Sequence, residues 1–380
     1  MVDFQLAPEQ RDLRATVEAF ARDVVAPVIG GYYEREEFPY DIVARMGKLG
    51  LFGLPFGEEY GGMGGDYFAL GIALEELARV DSSVAITLEA GVSLGAMPIY
   101  RFGTDSQRRR WLPQLCSGEK LAAFGLTEPG GGSDLPGTMR TTARPEGGEW
   151  VINGTKACIT NSGTSVTALV TVAALTGDDE ISTIIVPNGR AGFALGQRYS
   201  KVGWCASDTR ELIFTDCRVP QENLLGEPGR GYAQFLRILD EGRVAIAALA
   251  TGLAQGCVDE CVRYAGERVA FGSPIGRHQA IQFKIADMAA RAHAARLAWY
   301  DAAARLGSGE PFKKEAAMAK LLASNAAMDN ARDATQIFGG YGFMNESPVG
   351  RFYRDAKVLE VGEGTSEIQR LIIARQLGVG

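Results

Sequence analysis

Trp150-Val151-Ile152-Asn153-Gly154-Thr155-Lys156-Ala157-Cys158-Ile159-Thr160 is the stretch on which the fold turns. Strand-forming residues flank Asn153-Gly154, a dipeptide that accepts two positive φ angles, so the pattern predicts a β-hairpin turning at 153–154. Short β-rich runs come next, Leu169-Val170-Thr171-Val172 and Ile181-Ser182-Thr183-Ile184-Ile185-Val186, separated by Gly, Asn, Asp and Pro. Residues 211–219 read as another strand, closed by Pro220. These runs set a middle β domain at 121–228.

On either side the apolar period lengthens. Residues 1–120 read as an all-helical N-terminal domain. Pro8 suits a helix start, and Leu13, Val17, Phe20, Val24 and Val28 recur at helical spacing. Further helices are expected near 41–49, 66–80, 84–102 and 105–117, with a Gly-rich loop from Gly57 to Gly65. Residues 229–380 return to long Ala-rich helices, at about 229–268, 277–306, 311–338 and 364–377, expected to form a four-helix bundle. The fold class is therefore α+β, with a β-barrel or sandwich between two helical domains. No strand–turn–helix unit surrounds Gly130-Gly131-Gly132, so those glycines are not a dinucleotide fingerprint.

The composition narrows the chemistry. A net charge of -7, from 39 basic and 46 acidic residues, argues against a nucleic-acid partner. No run of 18 apolar residues appears, so no membrane span is expected, and Met1-Val2-Asp3-Phe4-Gln5 lacks the features of a signal peptide. The expected compartment is the cytoplasm. Six cysteines are too sparse for a disulfide framework, and Cys257 and Cys261, one helical turn apart, read as packing residues and not as metal ligands. With His278 and His293 the only histidines, there is little material for a zinc site or a Ser-His-Asp triad. Acid–base work here falls to a carboxylate, and redox work to a borrowed cofactor.

Four segments carry a family resemblance. They are Gly125-Leu126-Thr127-Glu128-Pro129-Gly130-Gly131-Gly132-Ser133-Asp134; Glu267-Arg268-Val269-Ala270-Phe271-Gly272 with His278-Gln279; Gln336-Ile337-Phe338-Gly339-Gly340-Tyr341-Gly342-Phe343 with Glu346, Arg351 and Asp355; and Glu363-Gly364-Thr365-Ser366-Glu367-Ile368-Gln369-Arg370. In order and spacing the whole chain resembles the acyl-CoA dehydrogenases. The resemblance implies an FAD-dependent α,β-dehydrogenation of an acyl-CoA thioester to the trans-2-enoyl-CoA. Glu363 would abstract the α-proton and the flavin N5 would take the β-hydride. Read without the family, Glu363 would be a solvated cap of the last helix.

By the same resemblance Leu126, Thr127, Gly132, Ser133, Cys158 and Thr160 contact the flavin. Arg268, Phe271, Gln279, Gln336 and Gly340 would reach the flavin of a neighbouring subunit, and Thr365 and Glu367 lie beside the base. Ser133, Asp240, Arg243, Gly362 and Gly364 would meet the substrate, with Arg243 near the nucleotide end of the coenzyme. An ion pair between Asp240 and Arg243, three residues apart on a helix, is an equally good reading of those two. Glu128 and Asp134 read as turn and cap residues. The implied assembly is a homotetramer, a dimer of dimers, and the implied electron acceptor is electron-transferring flavoprotein. No metal is implied.

Several positions depart from the family pattern. Gly242 stands where branched- and long-chain members place their base, and Glu241 beside it points about 100° away. Cys158 replaces an aromatic residue at the flavin edge, which keeps an oxygen-using acyl-CoA oxidase or flavin monooxygenase as the alternative. Ala270 replaces a hydroxyl residue. Gly362 replaces a frequent Tyr before the base, widening the pocket toward branched, cyclic or aryl acyl groups. Ala85 stands where glutaryl-type members carry an arginine, which speaks against a dicarboxylate.

Overall fold

The computed structural model describes residues 6–379; residues 1–5, including the Met1–Gln5 stretch, and residue 380 lie outside the described residues. The N-terminal region holds α1 (Pro8–Phe20), α2 (Ile29–Glu34), α3 (Tyr40–Lys48), α4 (Tyr67–Ala78), α5 (Ser82–Glu89), α6 (Met97–Phe102) and α7 (Asp105–Cys116). Two π-helical turns interrupt them. Ala21–Val25 extends α1 and shifts its phase, so Val25 is fully buried whereas Val28, expected on the same stripe, is 44% exposed. Ala90–Ala96 joins α5 to α6 and widens the helix at the level of Glu89. Such turns recur at functional sites.

The middle region contains β1 (Leu121–Gly125), a short α8 (Leu135–Thr138), β2 (Thr142–Glu146), β3 (Glu149–Thr160), β4 (Thr167–Leu175), β5 (Ile181–Pro187), β6 (Phe193–Arg198), β7 (Thr209–Pro220) and β8 (Leu224–Leu225). The strand order is β6-β7-β3-β2-β4-β5-β8, with β1 parallel to β4. β2 meets β4 only at Thr142–Leu175. The sheet therefore folds into two leaves around one core, in which Ile152, Leu212 and Phe214 of one leaf join Val170, Ile184 and Val186 of the other.

The expected hairpin at Asn153-Gly154 is not there, because β3 runs straight through it. The turn lies at Gly147-Gly148, both at positive φ (60° and 84°), between β2 and β3. Gly154 instead marks a bulge opposite β7, where a Cβ would sit 2.6 Å from the Thr141 Cα. Asn153 is held in the strand by Asp216, donating to its carboxylate and accepting its N–H. An isolated glycine in a strand thus marks a close backbone approach.

The C-terminal region contains α9 (Gly231–Glu267), a small hairpin of β9 (Val269–Ala270) and β10 (Ser273–Pro274), α10 (Gln279–Ser308), α11 (Lys313–Phe338), α12 (Pro348–Leu359) and α13 (Ser366–Gln376). α9, α10 and α11 pack on one another, α12 lies against α9 and α11, and α13 against α11. The sequence reading missed α12, because the Gly/Ser/Pro-rich approach hid a helix that begins on Pro348. The segments Ser82–Phe102 and Gly231–Glu267 are long and apolar enough to cross a membrane, but their apolar residues pack inside the protein. Asp355 of α12 is the knot between regions: it accepts from Tyr33 Oη (2.6 Å), Ser82 Oγ (2.6 Å) and the Trp204 N–H (2.7 Å).

Candidate active site

The site forms on the turn between α12 and α13. As α12 ends, the N–H groups of Val361 and Gly362 return to the Val358 carbonyl. Glu363 and Gly364 then take left-handed backbone angles, φ 53° and 93°. A non-glycine residue held there costs about 1–3 kcal/mol, which surrounding contacts must sustain. The reversal aims the Glu363 side chain inward. The cap of α13 is Thr365, whose hydroxyl accepts from the Ile368 N–H at 3.3 Å, so Glu363 is not a helix cap.

Both Glu363 carboxylate oxygens are buried, and among the described residues no N–H or hydroxyl reaches them. They lie over Gly242 of α9, where a Cβ would stand 2.5 Å from Glu363 Oε2, with Leu94 of the π-helical turn beside it. A second carboxyl, that of Glu89, faces Glu363; its oxygens are equally buried, and its proton supplies the hydrogen bond the two carboxyls share. Burial pushes Glu363 up to about 7, against the pull of a Glu89 hydrogen bond and the charges of Lys320 and Arg243. Glu89 is raised well above the usual range by burial first and by Glu363 second. Two like charges in one dry space cannot both ionise, so Glu89 keeps the proton and Glu363 is the group left free to act as a base.

Sequence reasoning missed Glu89. Its signal was there: it is the only charged residue between Ser82 and Pro98, in an otherwise apolar or small run. Such a group is either paired or functional.

The Leu126–Asp134 loop lies on the middle region. Leu126 is buried, Thr127 half-buried, and Gly132 and Ser133 are exposed. Glu128 is more than the turn residue the sequence suggested. It is buried, accepts from the N–H groups of Arg140 (2.6 Å) and Thr141 (3.0 Å), and pairs with the fully buried Lys156 at 2.8 Å. Lys156 also donates to the Leu126 carbonyl at 3.2 Å. Burial drives Lys156 down to about 8 despite Glu128. Burial works upward on Glu128, but Lys156 holds its carboxyl below the usual range. Asp134 precedes α8 without a capping bond.

Cys158 and Thr160 sit where β3 bulges, Cys158 exposed with φ 61° and Thr160 half-buried. Asn161, next along, donates to the Thr87 carbonyl at 3.0 Å, tying this edge to the helix that carries Glu89.

The backbone of the loop leaves room for a flavin. A Cβ at Gly130 would meet nothing, and one at Gly132 only Thr127 Cγ2 at 3.8 Å. That cradle and the small hydroxyls of Thr127, Ser133 and Thr160 fit a flat ring approached by backbone.

The remaining expected cofactor residues lie elsewhere on the subunit. Arg268, Phe271, Gln279, Gln336 and Gly340 are all exposed, Phe271 at 97%. The Arg268 guanidinium lies over the Tyr341 ring and the His278 ring meets Phe271 edge-on, so these segments share one face. Among the described residues no hydrogen bond or ion pair joins them to the 126–134 loop. Thr365 is half-buried and Glu367 points to solvent.

Three family models cover nearly the whole chain. The acyl-CoA dehydrogenase N-terminal domain matches residues 7–119, the middle domain 123–217 and the C-terminal domain 229–378. The chain belongs to the acyl-CoA dehydrogenase family. It is 48% identical to a probable acyl-CoA dehydrogenase of Bacillus subtilis (strain 168), over 99% of this chain and 100% of that one. It is 45% identical to the mitochondrial short-chain specific acyl-CoA dehydrogenase of Rattus norvegicus, over 98% and 91%. The structure of butyryl-CoA dehydrogenase from Megasphaera elsdenii superposes with a TM-score of 0.96 at 40% identity, covering 99% and 100%. The protein is thus an oxidoreductase of a flavoprotein family.

In this acyl-CoA dehydrogenase the residues expected at the substrate divide into two groups. Gly362 and Gly364 flank Glu363 on its turn. Near Gly362 a Cβ would touch only Val358, at 3.3 Å from its carbonyl oxygen, so the side facing away from α12 is open. Asp240 and Arg243 are both buried and paired with each other, with Lys313 Nζ 3.7 Å from Asp240. Arg243 lies within electrostatic reach of Glu363, so any contact with the coenzyme's nucleotide end must compete with Asp240. Glu241 turns away, as helical geometry requires, into ion pairs with Arg101 and Arg237. Ala85 is buried one turn before Glu89, so no cation waits there for a distal carboxylate.

The space over Gly242 yields a direct expectation. Gly242→Ala introduces a methyl group 2.5 Å from Glu363 Oε2. α9 stays intact while the carboxylate is displaced, so kcat should fall roughly a hundredfold, as a misplacement of about 1 Å does, with little change in melting temperature. Unchanged kcat in Gly242→Ala would show that Glu363 works from another rotamer.

Proposed function

We propose that this enzyme dehydrogenates a short acyl-CoA thioester between Cα and Cβ, with Glu363 removing the α-proton. The observation that carries this reading is the buried carboxylate of Glu363, met only by the Glu89 carboxyl and aimed over Gly242 from a left-handed turn. The Glu363 N–H, which finds no acceptor in the chain among the described residues, is free to polarise the thioester carbonyl. FAD, when bound, supplies the acceptor for the β-hydride. Leu126, Thr127, Gly132, Ser133, Cys158 and Thr160 would hold it, and Glu128 and Lys156 keep their loop in shape.

By the family resemblance, Arg268, Phe271, Gln279, Gln336 and Gly340 serve the cofactor of a neighbour, and their exposure supports that reading. The exposed Phe271 on that face supports a homotetramer in which each site is completed by a second chain. Electron-transferring flavoprotein is the proposed acceptor, as the family resemblance implies, and the cytoplasm the proposed compartment.

A short acyl group is favoured because a second carboxyl, Glu89, lines the same dry space and would be unfavourable to bury against a long methylene chain. Two of the relatives above are named for short-chain or butyryl substrates. The opening at Gly362 adds room for a branch beside Cα or Cβ. Anaerobic flavin bleaching across butyryl-, isobutyryl-, 2-methylbutyryl-, octanoyl- and aryl-CoA tests both statements. Bleaching by none of them sinks the reading, and preference for octanoyl-CoA sinks the substrate class.

The raised pKa sets the pH dependence. Glu363 works as the anion, and burial places its midpoint near 7. kcat/KM should therefore lose activity as pH falls through about 7, approaching tenfold per unit on the acid side. A limb centred near 4.5, the ordinary value, would show that the pocket does not stay dry in the free enzyme.

A further inference from the structure

The α12–α13 turn rests on a buried cation. Lys320 of α11 has no solvent exposure, and its Nζ donates at 2.8 Å to the carbonyl of Gly364, the residue after the base. Gln369 of α13 donates to the same carbonyl at 2.8 Å, and its side chain is also buried. Two donors from two helices therefore converge on one carbonyl of the left-handed pair. A buried lysine that makes a single backbone contact and no ion pair is an unfavourable way to fill a core position, since a Leu or Met would fill it at no desolvation cost.

We propose that Lys320 is a positioning residue of the dehydrogenation: its Nζ anchors the Gly364 carbonyl, and its charge favours the ionised form of Glu363. This rests on the assignment of Glu363 as the base.

The electrostatics agree with that geometry. The groups facing Glu363 are Glu89 from α5, Arg243 from α9 and Lys320 from α11; Glu89 donates to it and the two cations pull its pKa downward. Arg243 is already paired with Asp240. Among the described residues Lys320 has no such partner, so it is the principal uncommitted cation facing Glu363. Burial lowers its own pKa to about 8, opposed first by Glu363 and assisted by Arg243, with Glu360 and Glu367 of the turn acting more weakly. Lys320 is thus still protonated at pH 7, where Glu363 must lose its proton. Without it, burial would push Glu363 higher, and less of the base would be ionised at neutral pH.

The test compares four variants of the flavin-loaded enzyme. Lys320→Gln retains a donor for Gly364 but removes the charge. It should move the acid limb of kcat/KM upward by about one pH unit and reduce activity at pH 6 about tenfold, with the high-pH plateau nearly kept. Lys320→Arg should return the limb to its wild-type position. Lys320→Met should show the same upward movement and, having lost the donor, a lower plateau as well. Gln369→Leu removes only the neutral donor, so its plateau should fall while the limb stays in place.

A second readout needs no substrate. The infrared carbonyl stretch of protonated Glu363, identified by its loss in Glu363→Gln, should titrate about one unit higher in Lys320→Gln than in wild type. If Lys320→Met does not fold, Lys320→Gln still decides. A limb and an infrared midpoint that stay put in Lys320→Gln overturn the proposal and leave Lys320 a packing residue. Failure of the wild-type enzyme to bleach with any acyl-CoA would instead strike the assigned reaction, and the infrared midpoint would still report on Lys320.

Discussion

Glu363→Gln is expected to lower kcat about a thousandfold while leaving the fold and the flavin spectrum intact. The magnitude comes from the value of a positioned general base, about 10²–10⁴-fold. Gln has nearly the volume of Glu, so Gly242, Leu94 and Glu89 should still pack around it, and acyl-CoA binding should be kept. Stability should move in the opposite direction. The folded-state pKa of Glu363 lies above its ordinary value, so between about 4.5 and 7 the native state holds a proton that the unfolded chain has lost. Stability supplied by the neutral acid is present at low pH and fades as pH rises through that window. At pH 8 the Gln variant, which carries no charge to bury, should melt at or above the wild-type temperature. Stopped-flow bleaching and thermal melts at pH 5 and 8 measure the two effects. Full activity in Glu363→Gln would remove Glu363 from the chemistry.

Asp355→Ala should be the most damaging substitution away from the site. Asp355 is fully buried and gathers donors from the N-terminal and middle regions onto α12: Tyr33 of α2, Ser82 at the start of α5, and the backbone of Trp204 in the middle region. Trp204 itself is held at φ 51° and donates from its indole to Ser82 Oγ at 3.1 Å. Burial raises Asp355, and the bonds from Ser82, Tyr33 and Trp204 draw it back down. Removing the carboxylate leaves three donors without an acceptor in a dry junction, which costs about 3–5 kcal/mol. For a chain of this size that corresponds to a fall in apparent melting temperature of about 5 °C. α5 begins in this junction and ends on Glu89, so activity should fall with stability. A melting temperature within about 2 °C of wild type would show that the junction carries no such strength.

Much of this was open to inspection in the residues. Long apolar periods on both sides of a β-rich middle were enough for the three-region organisation, since helix and strand differ in the spacing of their buried side chains. The Glu363–Arg370 motif, read through its family resemblance, singled out Glu363 as the proposed base. Where local signals failed, a distant contact had overruled them. Asn153-Gly154 has the chemistry of a turn, but pairing with β7 and the approach of Thr141 straighten it, and the turn moves to Gly147-Gly148. The α1 stripe slips at a π-helical turn that no local periodicity announces. α12 was hidden because proline and glycine mark a break without specifying the element beyond it.

The sequence by itself determined which residue types were available: a carboxylate for the base, few histidines, small residues along the 126–134 loop, and glycine at 242. Only the tertiary structure decided what those residues mean to one another. Glu89 lies 274 positions before Glu363 in the chain, and Lys320 lies 43 before it. Neither spacing has a period that a sequence pattern could reveal. Folding brings both to the same carboxylate and strips the water from between them. In that dry space a charge from a distant helix acts more strongly than any neighbour on the turn, because screening by solvent, which makes local charge patterns weak, is gone.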